Sequence, residues 1–124
     1  MEKSPALLAG DAAAAVRQLN HALLNTREIT PPEISTTVQE LLLAVDRIPQ
    51  ALTQLAAHLV RDQRHGRVRM DDGGDSTQPV LEVETHLSDA EFDLNDATAQ
   101  LRKAVRLLFA MSAPGSTDDQ ETEQ

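Results

Sequence analysis

Apolar residues fall at Ile34, Val38, Leu41, Val45, Ile48, Leu52, Leu55 and Leu59, an unbroken alternation of four-residue and three-residue steps. A heptad pattern held for nearly four repeats commits this segment to a long helix with one apolar face. Its start is marked as clearly. Thr30-Pro31-Pro32-Glu33 has the form of a capping box, with Thr at the N-cap, Pro at the first helical position and Glu three residues after the cap. Ile29 and Ile34 stand where a hydrophobic staple belongs. Pro49 interrupts the run, and a mid-helix proline costs roughly 3 kcal/mol. The apolar pattern nevertheless keeps its phase across Pro49, which predicts one long, kinked helix from about Pro31 to Arg64 rather than two.

A second run extends from about Val80 to Met111. Leu87, Leu94, Leu101 and Leu108 recur every seven residues, and Val83, Ala90, Ala97, Ala104 and Met111 hold the other apolar position. Leu on one line and Ala on the other allows close helix approach. A competing start lies inside it, because Ser88-Asp89-Ala90-Glu91 is also a capping box, with Leu87 and Phe92 as its staple. The last helix then starts either near Val80 or at Asp89, the latter leaving Val80 to Leu87 as a turn or strand. Phase continuity from Val80 favours the long helix.

A shorter helix comes first, roughly Asp11 to Asn25, with Ala12, Val16, Leu19 and Leu23 on one face and a potential extension back to Pro5 behind Ser4. Between the long helices, Val68 to Pro79 contains Asp71-Asp72-Gly73-Gly74-Asp75 and has the composition of a loop. Residues 113–124 are acidic and polar, which predicts a disordered tail. The expected fold is all-α: an antiparallel bundle of three helices built on a long heptad-patterned hairpin, as one domain over residues 5–112.

Composition agrees with helix-on-helix packing. Aromatic residues make up 2% of the 124, with two Phe and no Trp or Tyr, so a core must come from Leu, Ala, Val and Ile. The chain has no Cys, which excludes disulfide frameworks, thiol nucleophiles and Cys-based zinc sites. The apolar patch Pro5 to Ala9 is too short for a signal peptide or a membrane span, which predicts a cytoplasmic protein without membrane contact.

The net charge of −9 is unevenly distributed. Asp71 to Asp96 holds nine acids and no Lys or Arg, whereas Arg61, Arg64, Arg67 and Arg69 cluster just before it. In an antiparallel hairpin, Arg61 and Arg64 then face Glu82, Glu84 or Glu91. At the far end Glu33 and Glu40 face Arg102, Lys103 or Arg106. Each long helix also carries acids early and bases late, which complements its macrodipole.

Chemistry-bearing constellations are few. Asp71, Asp72 and Asp75 lack the alternate carboxylates and the twelfth-position Glu of a calcium loop, so an acidic turn accounts for them. His86 and Asp93 share a helix flank, but no second His or Glu-x-x-His pair completes a bundle-core metal site. His21, His58, His65 and His86 are scattered, and His58 beside the apolar run fits a partly buried structural residue. No Ser or Thr has a nucleophile-elbow context, and no Gly-rich phosphate loop precedes a helix. Phe92 projects away from the Leu/Ala line, either as a local staple or as part of a second contact surface. The four arginines are the one nucleic-acid contact on offer, set against net acidity and the lack of aromatic stacking groups.

The segments Val16-Arg17-Gln18-Leu19-Asn20-His21, Arg47-Ile48-Pro49-Gln50-Ala51-Leu52 and Gly66-Arg67-Val68-Arg69-Met70-Asp71-Asp72-Gly73 resemble a group of small helical proteins of high-GC actinobacteria, across most of Asp11 to Met111. That group has no established activity, so the resemblance implies a bacterial cytosolic protein and carries over no functional residue.

The expected function is a non-enzymatic protein–protein interaction module, without cofactor or metal, that self-associates as a homodimer. The first helix is about half as long as the hairpin arms and leaves part of the apolar surface for a partner. The expected contact residues are Leu87, Ala90, Leu94, Ala97 and Leu101 on one arm and Val45, Ile48, Leu52 and Leu55 on the other. The alternative is a small nucleic-acid-associated regulator using Arg61, Arg64, Arg67 and Arg69.

Overall fold

The computed structural model describes residues 2–112, so the acidic tail expected over 113–124 lies outside the described residues. The fold is all-α, with three helices among the described residues: α1 (Pro5–Asn25), α2 (Pro31–Arg64) and α3 (Thr77–Leu108). The chain divides into two compact units at the junction between Thr30 and Pro31, α1 in one and the hairpin of α2 and α3 in the other.

In the first unit, α1 takes the longer of the two expected lengths. The Ser4 hydroxyl accepts a hydrogen bond from the Leu7 N–H at 3.2 Å, and Pro5 occupies the first turn, where its missing N–H costs nothing. Lys3 reaches Asp11 at 2.8 Å. At the far end Thr26 donates its hydroxyl to the Ala22 carbonyl at 2.7 Å, satisfying one of the last orphan acceptors.

In the second unit, α2 begins at Pro31, immediately after Thr30, and runs through Pro49 without a break. The proline side chain is half-buried in the seam, which offsets the backbone donor it withholds from the Val45 carbonyl. The helix ends in a Schellman motif. Gly66 adopts φ +69°, its N–H donates to Gln63 O at 3.1 Å, and Arg67 N–H donates to Asp62 O at 2.8 Å. Only glycine takes that φ without a steric cost.

α3 is continuous from Thr77, so the competing start at Asp89 is not used. Asp75 sets the entry, its carboxylate accepting from the Thr77 N–H at 3.0 Å and the Thr77 hydroxyl at 2.9 Å. Those two bonds, the backbone one foremost, hold the Asp75 carboxyl below its usual pKa.

Three polar contacts fix the hairpin as antiparallel. Arg102 donates to Asp46 at 3.2 Å, Thr53 meets Glu91, and Gln63 donates to Thr77 at 3.2 Å. As residue numbers rise along α2, those of the partners fall along α3.

Candidate functional site

The seam between α2 and α3 is rotated by one residue from the expected apolar line. On α2 the seam runs through Ser35, Val38, Leu42, Val45, Pro49, Leu52, Ala56, Leu59 and Gln63, and on α3 through Val80, Leu87, Glu91, Leu94, Thr98, Leu101, Val105 and Leu108, all buried or half-buried. One line on each helix agrees with expectation: Val38, Val45, Leu52 and Leu59 against Leu87, Leu94, Leu101 and Leu108. The other line moves by one residue, to Ser35, Leu42, Pro49, Ala56 and Gln63 on α2 and to Glu91, Thr98 and Val105 on α3. On α2 Ser35 and Ala56 are smaller than the Ile34 and Leu55 they replace, while on α3 each residue is larger than the alanine it replaces. Ser35 and Thr98 satisfy their hydroxyls locally, Ser35 accepting from Gln39 at 3.2 Å and Thr98 donating to the Leu94 carbonyl at 2.9 Å. No buried side-chain polar atom lacks a partner among the described residues.

That rotation leaves an apolar line only partly covered: Ile48, Leu55, Val83 and Ala97 are exposed, while Ile34, Leu41, Ala90 and Ala104 are half-buried. On each helix, residues one past the shared seam line point to one side and residues three past it point to the other. Because the helices are antiparallel, equivalent positions on α2 and α3 share a side. The Asp46–Arg102 pair demonstrates this, since both residues lie one past a seam residue and meet across the hairpin. The same side also carries Gln39, Thr53, Val60, Leu81, Ser88 and Asn95, with Leu81 48% exposed.

The opposite flank is different in kind. Its helical positions are Ile34, Leu41, Ile48, Leu55 and Asp62 on α2 and Val83, Ala90, Ala97 and Ala104 on α3, eight of the nine apolar, with Met111 following beyond the end of α3. Exposure is 42% at Ile48, 53% at Leu55, 42% at Val83 and 50% at Met111. In the observed register Leu55 lies beside Ala90, Ile48 beside Ala97 and Leu41 beside Ala104, so large residues border small ones along a shallow trough.

Of the nine residues expected to make the interface, the structure places Val45, Leu52, Leu87, Leu94 and Leu101 in the intramolecular seam. Ile48, Leu55, Ala90 and Ala97 lie on the flank. Sequence reasoning missed Ile34, Leu41, Val83 and Ala104 as flank members. The signal was present in the width of the apolar stripe, where Leu41 and Leu42 are adjacent and one partner helix cannot cover both.

The arginines are separated by the helix end. Arg61 and Arg64 are exposed in the last turn of α2, Arg67 pairs with Asp62 at 3.2 Å, and Arg69 sits in the loop beside Asp71 and Asp72. Among the described residues no ion pair joins Arg61 or Arg64 to Glu82, Glu84 or Glu91, contrary to the expected hairpin pairing. The physical reason is angular. Arg61 and Glu82 lie two past the seam line, on the outer edge of the apolar flank and too far round to meet within one hairpin.

A depression of about 530 Å³ on the polar side is lined by Thr53, Ala56, Ala57, Glu84, Ser88 and Glu91. Its carboxylates stand with a hydroxyl engaged by Glu91 and no basic side chain, which provides no nucleophile–base pair. In the hairpin loop, Asp72 accepts from the Gly74 N–H at 2.8 Å, and Gly73 takes φ +78°. No group of three or more His, Asp or Glu suited to a metal ion occurs among the described residues. No helix among them is long and apolar enough to cross a membrane. Phe92 is 69% exposed on a continuous helix, so it staples no cap. No protein family, curated protein or solved structure matches the chain.

Proposed function

We propose that this chain is a non-enzymatic protein–protein interaction module that self-associates through the apolar flank of its hairpin. The observation that carries the reading is the flank itself: eight of its nine helical heptad positions are apolar, on one side of a hairpin whose other side holds the Asp46–Arg102 and Thr53–Glu91 contacts. Burying such side chains is worth roughly 25 cal/mol per Å² of apolar surface, a gain the hairpin alone leaves unrealised. Among the described residues the buried hydrophobics are Ala56, Val80 and Val105. So small a core is characteristic of a unit completed by association.

Sedimentation of the chain and of Ile48→Glu tests it. The wild-type chain is expected to sediment as a dimer at tens of micromolar, and Ile48→Glu as a monomer with unchanged helix content. Leu43→Glu, outside the flank, is the control and is expected to leave association intact. A wild-type monomer, or an Ile48→Glu dimer as tight as wild type, would refute the proposal.

The alternative, a nucleic-acid contact through Arg61, Arg64, Arg67 and Arg69, is opposed by the Asp62–Arg67 pair, by the neighbouring Asp71 and Asp72, and by the net charge of −9. Duplex DNA titrated at low salt is expected to give no anisotropy change. Salt-sensitive binding lost on replacing the four arginines would reverse that ranking.

A further inference from the structure

We infer that the occupant of the flank is a second copy of the hairpin, related by a two-fold axis parallel to the helices, so that both hairpin loops lie at the same end of a four-helix bundle. This rests on the self-association proposed above and specifies its geometry.

The argument begins with charge along the edge of the flank. The outer edge, two past each seam residue, carries Gln54 and Asp89, which fall level with each other, and six charged residues besides: Glu40, Arg47 and Arg61 on α2 and Glu82, Asp96 and Lys103 on α3. All six are exposed, and none has an ion-pair partner among the described residues. A two-fold axis parallel to the helices leaves every residue at its own height. Each α2 therefore meets the partner's α3 in the register it already has with its own α3. That register is fixed by the Asp46–Arg102, Thr53–Glu91 and Gln63–Thr77 contacts. It sets Glu40 level with Lys103, Arg47 with Asp96 and Arg61 with Glu82, to within about a helical turn, three opposite-charge pairs, with Asp89 level with the neutral Gln54. These edges flank the new interface as Asp46 and Arg102 flank the existing one.

The apolar layer agrees. In this arrangement Ile48 and Leu55 border Ala97 and Ala90 of the neighbouring chain as they do within their own, so large side chains meet small ones on both sides. An axis across the helices would instead pair each helix with its own copy. Placed level with the middle of α3, it would set Glu82 against Lys103 and Glu40 against Arg61 but Asp89 against Asp96, and the like charges make it less complementary than the parallel axis, which sets no like charges together.

Charge exchange and label distance test the geometry together. Arg47→Glu and Asp96→Arg are each expected to weaken homodimerisation by about tenfold or more, since each makes two like-charge contacts per dimer. Mixed in equal amounts they are expected to form a heterodimer of wild-type affinity, because every contact is then complementary. Wild-type affinity in the single variants, or no rescue on mixing, overturns the pairing. The chain has no cysteine, so Asp71→Cys places one spin label at each loop. Labels within about 25 Å of each other are expected. Separation by a helix length, about 48 Å for 32 residues, overturns the parallel axis while leaving self-association standing. A wild-type monomer would defeat both and assign the flank to a partner of another kind.

Discussion

On α2 small residues mark where the two long helices meet: Ala56, at 8% exposure, sits in the seam where the expected line would have put Leu55, while on α3 Thr98, at 2%, stands in place of Ala97. Ala56→Leu is accordingly expected to destabilise the hairpin by about 1–3 kcal/mol through overpacking, measured by urea unfolding. Gly66 makes a separate demand through its backbone. At φ +69° a Cβ meets nothing within 4 Å, so the penalty of Gly66→Ala is conformational and is expected to be about 1 kcal/mol. Asp75 gives the hairpin a small acid-sensitive component. Its folded pKa is depressed, so its stabilising contribution is present above the unfolded pKa and lost as pH falls through the folded one. The urea midpoint of Asp75→Ala is expected to fall less than that of wild type between about pH 5 and pH 2.5; equal falls would show that the Thr77 bonds contribute nothing.

At the scale of elements, Pro49 is the clearest test of what holds α2 together. Pro49→Ala restores the backbone donor to the Val45 carbonyl and is expected to raise stability by up to about 3 kcal/mol, less whatever seam packing the ring supplies. The survival of α2 across this proline was legible from the unbroken phase of Val45, Leu52 and Leu59. So was its start at Pro31, from the Thr30 capping box. The start of α3 at Thr77 was only half legible, because Ser88-Asp89-Ala90-Glu91 is locally a sound cap and only the tertiary seam overrides it. The rotation of the seam was not legible. Heptad analysis weights large apolar residues most, and it drew the line through Ile34, Leu41, Ile48 and Leu55. Close packing of two backbones favours the line with Ser35 and Ala56, and the large residues go to the flank. The hairpin charge pairing failed for the same reason, since Arg61 and Glu82 lie beside the flank rather than beside the seam.

For the whole molecule, the consequence is an apolar flank bordered by charged residues that the hairpin does not pair. Its composition resembles the inside of a four-helix bundle more than the outside of a finished protein, where contiguous apolar patches of this kind mark interaction sites. Nothing in the polar depression, the hairpin loop or the arginine cluster competes with it as a functional feature. Light scattering coupled to size exclusion, on the wild-type chain at tens of micromolar, tests this most directly. Self-association through the flank predicts a mass twice that of the 13.5 kDa chain; a single 13.5 kDa species at every concentration would contradict it.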